Sequence, residues 1–477
     1  MSELENVSGK NLYIHTFGCQ MNESDSSRMA ELLSKDGWRS IDDPEEADLI
    51  LLNTCAIREK AEQKVLSALG RYRLVRNRRG TRLGVTGCVA QQEKQKLLER
   101  VPYLDFVLGP DQVAQLPGVV AKAAGGDRVV ETGWMDSEEY VFPRADPEAT
   151  RGQVSAFVTV MKGCDNVCSF CVVPYTRGRE VSRAYADVVA EVASLVSVGV
   201  REVTLIGQNV NSYAGGCTFA ELIRRVAAVP DLVRIRFTTS HPQDLSPELM
   251  QAFADVPQLM PHFHLPVQSG SNPVLERMRR RYTWEDYVGK LDRLRVLRPD
   301  IAMTSDIIVG FPGETDEDFE ATMSLIERVG YANLFSFVYS PRPHTSAIRH
   351  EKTWGPVPHE VSVARLARLQ QRQRELTATY HQSFVGRTLE LLVEGPSKTD
   401  ASRRMGRTVW NHVVNFDGKA PAGSLARVRI DGATAAALSG TELAFDAPAI
   451  PVERAPIRKL LQVVAPPSAS ACHDDGH

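Results

Sequence analysis

Apolar and polar positions fall into three successive textures along the chain. In the first, short apolar runs, NLYIHTF (11–17), ADLILLNT (47–54), RLGVTG (82–87) and FVLG (106–109), are separated by amphipathic stretches. Those stretches are NESDSSRMAELLSKDGW (22–38), residues 57–76 and QQEKQKLLERV (91–101). Unbroken apolar runs alternating with helical segments predict a parallel sheet covered on both faces. After a polar, acidic link at 136–151 the rhythm resumes with SAFVTVMKG, REVTLIGQN, RIRFTTSHP, PHFHLPVQSG, IAMTSDIIVGFPGE and NLFSFVYSP. Helical segments such as RAYADVVAEVASLVSVG and TWEDYVGKLDRLRVL lie between them. Six strands with their helices predict a partial TIM-like (βα)6 barrel, whose chemistry gathers at the carboxyl ends of the strands. A long amphipathic helix over 359–382 then leads to RTLELLVEG, GRTVWNHVVNF and SLARVRIDGAT, short strands with glycine turns that predict a small β-barrel. The fold class is therefore α/β, with domains at 10–127, 150–381 and 384–450 and a frayed Pro/Ala/Ser-rich tail at 451–477.

Composition narrows the function classes. The 477 residues suggest roughly three domains, and 43% hydrophobic with 24% charged residues is ordinary globular usage. A net charge of −3, from 56 basic and 59 acidic residues, leaves no global positive field, so a polyanion would have to be held by local patches. No apolar run reaches the ~18 residues of a membrane span, and residues 1–11 are polar, which argues against a secretory signal. The expectation is a cytoplasmic protein without a membrane partner, with a monomer as the default. Eight cysteines are too sparse for a disulfide scaffold and point to metal or redox chemistry.

The sharpest local signal is MKGCDNVCSFCVVPYTRGRE, which spaces Cys164, Cys168 and Cys171 as CxxxCxxC. Three thiolates on one loop can hold three corners of a 4Fe–4S cluster and leave one iron open. A structural zinc would want a fourth ligand, and the nearest later candidates, Cys217 and His241, are not at finger spacing. Cys19, Cys55 and Cys88 each end a predicted strand of the first domain, which allows three distant residues to converge. A lone cysteine there is usually a small buried hydrophobe; three of three suggest a second cluster with a free iron. Cys217, Cys472 and His473 receive no role.

The CxxxCxxC loop after the first strand of a βα barrel resembles the radical S-adenosylmethionine (SAM) superfamily. The resemblance implies that the open iron binds the amino and carboxylate groups of SAM, and that one electron breaks the sulfonium bond to give a 5′-deoxyadenosyl radical. It places Phe170 near the adenine and Gly207, Gln208 and Asn209 of LIGQN at the superfamily's glycine motif. Ser240, Gln268 and Ser269 are further cofactor candidates, each with an alternative reading as an ordinary barrel-top hydrogen-bonding group. TFGCQMNESDS, LLNTCAIREKAEQK and VTGCVAQQ look like the amino-terminal domain of the methylthiotransferases within that superfamily. CDNVCSFCVVPYTRGREVSR, LPVQSGSNPVLERMRRRYT and DIIVGFPGETDEDF match their core, and EGPSKTDASRRMGRTVWNHVVNF resembles their TRAM module, an OB-like RNA-binding barrel. GCQMN and VVPYTRGRE resemble the tRNA-modifying branch rather than the ribosomal-protein branch. His344 in YSPRPHTSA stands where relatives usually carry glycine.

The family resemblance implies addition of a methylthio group to carbon-2 of N6-isopentenyladenosine at position 37 of tRNA. It implies two 4Fe–4S clusters, with SAM serving both as methyl donor and as radical source. The partners are a tRNA anticodon loop carrying isopentenyladenosine and a low-potential electron donor of flavodoxin or ferredoxin type. An aromatic C–H offers nothing to a general base, which agrees with radical abstraction, and a loop base can be unstacked at modest cost. Phosphate could be held by Lys398, Arg403, Arg404 and Arg407 in the TRAM stretch. Two further basic runs, Arg71, Arg73, Arg76, Arg78, Arg79 and Arg82, and Arg279, Arg280 and Arg281, are weaker candidates; their plain alternative is a solvated face.

Overall fold

The computed structural model describes residues 10–56, 59–135, 140, 142, 144–448, 450 and 452. The start of the second expected helix at 57–58, much of the acidic link, and the tail with Cys472 and His473 lie outside them. The chain forms two compact units, one reaching Tyr140 and one running from Val141 to Pro456.

In the first unit six parallel strands, β1 (Lys10–Thr16), β2 (Trp38–Ser40), β3 (Leu49–Thr54), β4 (Arg82–Gly87), β5 (Phe106–Leu108) and β6 (Val129–Glu131), lie in the order β2-β1-β3-β4-β5-β6. The central LILLNT strand is buried throughout, and its period-two alternation feeds two separate cores. Ile50 and Leu52 pack with Val65, Leu69 and Tyr72 on one face; Leu49 and Leu51 pack with Met29, Leu33 and Leu116 on the other. Each such side chain contributes roughly 1.5–3 kcal/mol. The helix expected over 91–101 is two helices, Cys88–Glu93 and Gln95–Arg100, separated at Lys94, whose φ is 50°. The strands β2 and β6, three residues each, are too short to leave a readable period.

The second unit carries β7 (Ser155–Thr159), β8 (Met161–Lys162), β9 (Val181–Ser182), β10 (Glu202–Ile206), β11 (Arg234–Phe237), β12 (His262–His264), β13 (Ala302–Val309) and β14 (Asn333–Val338). Two parallel sheets, β11-β10-β7 and β12-β13-β14, meet at a bridge between Ile235 and Leu259, so six strands run side by side in chain order as an open (βα)6 barrel. Val158, Leu205, Ile235, Phe263, Ile307 and Leu334, one from each strand, share one core. The antiparallel pair β8–β9 returns the chain after residues 163–180 to the same strand end. The helix His359–Gln382 matches the amphipathic reading and seals β14, with Gln373 donating to Tyr331 O and Thr377 to Ala332 O.

Strands β15 (Thr388–Pro396), β16 (Arg404–Thr408), β17 (Val413–Asp417), β18 (Leu425–Ala433) and β19 (Leu438–Asp446) close the small barrel in the order β15-β16-β17-β19-β18. GRTVWNHVVNF, read as a single strand, turns at 409–412, where Asn411 takes a φ of 71° that its short polar side chain tolerates. This small barrel docks on the amino ends of the (βα)6 strands, the end opposite the cysteine loop. Arg236, on β11, donates to Thr408 O and Val409 O at 2.9 Å each, and Trp410 Nε1 donates to Asp300 O at 2.7 Å. Among the described residues no helix is long and apolar enough to cross a membrane.

Candidate active site

The CxxxCxxC loop leaves β8 at the carboxyl end of the barrel. Gly163 has a φ of 73°, and a Cβ there would lie 2.0 Å from Arg179 O, so only glycine lets the returning chain pass. Each thiol has a nitrogen donor beside it: Asn166 Nδ2 donates to Cys164 Sγ (3.5 Å), Arg280 Nη1 to Cys168 Sγ (3.3 Å) and the Val173 amide to Cys171 Sγ (3.5 Å). Burial pushes the Cys164 thiol up, and pushes Cys171 up to about 12 with help from the neighbouring Cys168 and Cys164. A metal entering this loop must therefore displace protons. His241 Nε2 lies 4.0 Å from Cys168 Sγ, and burial, aided by Arg280, lowers its pKa to about 2, so it faces the loop as neutral imidazole. Among the described residues no three His, Cys, Asp or Glu side chains form a ready-made metal cage.

Around this loop the barrel top holds polar atoms with nothing to bond. Gln208 accepts from the Gly163 amide through Oε1, yet its Nε2 is buried and unpartnered. Asn209 donates to Asp244 Oδ2 at 2.8 Å while its Oδ1 is orphaned, and Ser240 Oγ is orphaned as well. Leaving such a group unsatisfied costs about 1–3 kcal/mol, and three together beside three thiols are what a polar ligand would satisfy. The donor set thus fits a cluster with an open iron and an amino-acid-bearing cofactor. Gly207 comes close to β8, since a Cβ there would lie 2.4 Å from Met161 Cγ. Phe170 packs against Val274, Met278, Phe311 and Ala347.

Two of the further candidates also have structural work. Ser269 Oγ pairs with Thr322 Oγ1 and accepts from the Ser271 amide, tying a strand end to a helix. Gln268 has a φ of 79°, and its backbone bridges to β13 through Asp306 O and the Ile308 amide. His344 has a φ of 69°, a left-handed conformation that glycine would adopt without strain.

In the first unit, Cys19, Cys55 and Cys88 each follow the carboxyl end of β1, β3 and β4, three adjacent strands. A Cβ on Gly18 would lie 2.5 Å from Cys55 Cβ, and one on Gly87 would lie 2.4 Å from Thr54 O. The two glycines therefore let the three cysteine turns close on one another. A buried polar clasp fixes them. Asn22 Nδ2 donates to Asn53 Oδ1 (2.9 Å) and Thr54 O (3.1 Å); Asn53 Nδ2 returns bonds to Asn22 O and Ser26 Oγ. Thr54 Oγ1 donates to Thr86 O and accepts from the Val89 amide, and Cys19 Sγ donates to Asn22 Oδ1 at 3.3 Å. Sequence reading missed Asn22, Asn53 and Thr54, although their place beside cysteines in GCQMN and NTC was a usable signal.

The basic runs divide. Arg280 is buried and bonded to Cys168, so it is no phosphate contact, whereas Arg279 and Arg281 are exposed. Arg76 pairs with Asp105, Arg78 with Glu45, and Arg82 donates to Ala123 O and Ala124 O. In the small barrel Arg403 pairs with Asp417 and Arg407 with Glu394, and Arg407 O accepts from Arg234 at the docking face. Lys398 is exposed and Arg404 half-buried.

Comparisons with known proteins agree with this layout. Residues 11–109 match the "Uncharacterized protein family UPF0004" model, residues 158–326 the Radical SAM superfamily, and residues 382–442 the TRAM domain. Among solved structures the chain is similar to the radical S-adenosylmethionine methyltransferase TsrM from Kitasatospora setae (TM-score 0.53, 17% identity, covering 71% of this chain and 77% of that one). It is also similar to the cobalamin-dependent S-adenosylmethionine radical enzyme OxsB (TM-score 0.50, 13% identity, 77% and 62%). At these identities the likeness shows the fold alone. Fold and site together define the radical SAM class. Within it, a Myxococcus xanthus (strain DK1622) relative named tRNA-2-methylthio-N(6)-dimethylallyladenosine synthase is 61% identical over 437 residues, 91% of this chain and 95% of its own length. An Anaeromyxobacter sp. (strain K) relative of the same name is 62% identical, covering 91% and 94%. The chain belongs to the tRNA-2-methylthio-N(6)-dimethylallyladenosine synthase family.

Proposed function

We propose that this protein adds a methylthio group to carbon-2 of N6-isopentenyladenosine at position 37 of tRNA, in the cytoplasm. The observation that carries the reading is the CxxxCxxC loop beside three orphaned polar atoms, in a chain 61% identical to a named synthase across nearly its whole length. On this reading Cys164, Cys168 and Cys171 hold a 4Fe–4S cluster, and Cys19, Cys55 and Cys88 hold a second. A cluster held by Cys164, Cys168 and Cys171 with SAM would supply radical chemistry for hydrogen abstraction at carbon-2. One held by Cys19, Cys55 and Cys88 would supply the site for sulfur, with SAM also the methyl source. The unpaired atoms of Gln208, Asn209 and Ser240 would hold the polar end of SAM. Gly207 lets the backbone come near, and Phe170 supplies an apolar wall. Arg280 and the Val173 and Asn166 nitrogens stabilise thiolate charge, because charge-assisted bonds favour the ionised ligand. The Asn22–Asn53–Thr54 clasp holds the second set of thiols against collapse. Exposed Lys398 and half-buried Arg404 offer phosphate contacts on the TRAM barrel, and electrons come from a flavodoxin- or ferredoxin-type donor.

The anaerobically prepared protein should hold about eight irons, two clusters of the cubane type. Cys168→Ala should lose about half of them and all SAM cleavage, while Cys19→Ala should lose methylthiolation yet still cleave SAM. A Cys168→Ala protein that cleaves SAM would refute the radical assignment. Nucleoside mass spectrometry of tRNA from a deletion strain tests the substrate: unchanged 2-methylthio-N6-isopentenyladenosine would remove the tRNA claim.

A further inference from the structure

The turn that follows the helix Asn272–Arg277 is built to send one arginine inward. Arg279 and Arg281 take left-handed φ values of 58° and 57°, conformations that side-chain-bearing residues avoid, and both are exposed. Between them Arg280 is 4% exposed. Its Nη2 donates to Pro266 O (2.8 Å) and its Nε to Tyr282 OH (2.8 Å), which in turn donates to Val267 O (2.9 Å). Its Nη1 donates to Cys168 Sγ at 3.3 Å. None of these partners is a carboxylate. A buried guanidinium without a counter-ion is costly; the Tyr282 hydroxyl keeps its proton as a donor to Val267 O, so the partner that carries negative charge is the Cys168 sulfur as a cluster ligand.

We infer that Arg280 is the built-in counter-charge of Cys168, and that it raises the reduction potential of the cluster held by Cys164, Cys168 and Cys171. The inference rests on the cluster assignment made above. Arg280 is a positioning residue: it lowers the cost of adding one electron, taking the cluster from the 2+ to the 1+ state, with the electron supplied by a low-potential one-electron donor. No bond or proton changes hands. Through Pro266 and Tyr282 it also locks the cysteine loop to the strand end that carries Gln268.

The test is an EPR-monitored redox titration of the anaerobic full-length holoenzyme, following the signal that SAM addition perturbs. Arg280→Gln should retain about eight irons and shift the midpoint of that signal negative by about 59 mV, a tenfold loss in the reduced fraction at a fixed potential. SAM cleavage driven by a flavodoxin-type donor should fall accordingly, and excess titanium(III) citrate should restore most of it. A wild-type midpoint in Arg280→Gln overturns the inference. Should that variant fail to load iron, the equally neutral Arg280→Met decides: its midpoint should again lie below wild type, and an equal midpoint overturns the proposal. Failure of the cluster reading itself would look different, because Cys168→Ala would then keep its SAM-perturbed signal.

Discussion

Asn22 and His15 show how single side chains in the first unit prepare the ground for three cysteines. Asn22, fully buried, spends its amide on Asn53 and Thr54 and so ties the Cys19 turn to the Cys55 turn. His15 supports the same strand end from below: its Nδ1 lies 2.8 Å from the Tyr72 hydroxyl, and its ring stacks on Phe17 at 4.1 Å, one residue before Gly18. Burial, with a contribution from Arg71, lowers the His15 pKa from 6.5 to about 4. The folded state therefore binds this proton less readily than the unfolded chain. Above pH ~6.5 neither state is charged and His15 is neutral in its effect. As pH falls from there to about 4 the unfolded chain alone is protonated, and stability drops by about 3 kcal/mol across that window. Hydrogen exchange of β1 and β3 amides against pH should show this slope. His15→Gln should flatten it, and an unaltered slope in that variant would assign the acid sensitivity elsewhere. At this scale the sequence was readable where chemistry is local. The CxxxCxxC spacing and the LIGQN run advertise themselves, whereas Arg280 looked like one more charge in RMRRRYT. Its inward direction depends on two left-handed neighbours that no periodicity marks.

Strands and helices are legible in the sequence when they are long or fully covered. RLGVTG and the helix at 359–382 match their expected bounds, because one is an unbroken apolar run and the other keeps a helical period. The reading failed where a loop residue overrides a helical pattern. QQEKQKLLERV is periodic throughout, yet Lys94 adopts φ 50° and ψ −130°, and the chain starts a new helix at Gln95. The first of the two helices begins at Cys88 itself, so its course is set by the strand end and the Gly87 approach to Thr54 rather than by its own periodicity. The conformation at Lys94 is one that glycine occupies freely and a Cβ resists at about 1–3 kcal/mol. Lys94→Gly should therefore stabilise the first unit by about 1 kcal/mol after the entropy cost of glycine. Lys94→Ala, which keeps the Cβ, should give no such gain. Denaturant unfolding of both variants checks the point, and equal midpoints would mean that the break carries no strain.

At the scale of the second unit, the two barrels are joined by polar bonds beside a small apolar cluster of Val154 with Leu392 and Ala422, and Arg236 is the centre of the polar joint. It is 5% exposed; its Nε pairs with Glu202, itself 7% exposed, at 2.9 Å, and its two remaining nitrogens hold the Thr408 and Val409 carbonyls of the TRAM barrel. Arg234 repeats the arrangement with Arg407 O and Glu390. Because these residues open β10 and β11, the TRAM barrel covers the amino end of the strands and leaves the carboxyl end, with its cysteine loop, uncovered by that module. Nothing in the sequence marks this joint, which meets Arg407 through its backbone carbonyl while its guanidinium bonds Glu394 and Asn411. Arg236→Met would leave the Glu202 carboxylate buried without its partner and two carbonyls unpaired, a loss of about 3–5 kcal/mol. The expected outcome is a TRAM barrel cut free by protease near 383–387, weaker tRNA binding, and SAM cleavage in the absence of tRNA close to wild type, because the cysteine loop lies at the other end of the strands. Double substitution with Glu202→Gln should recover part of the loss by removing the stranded charge. If Arg236→Met resists protease as the wild type does, the docking energy resides in Arg234 and Trp410, and Arg236 only fills the joint.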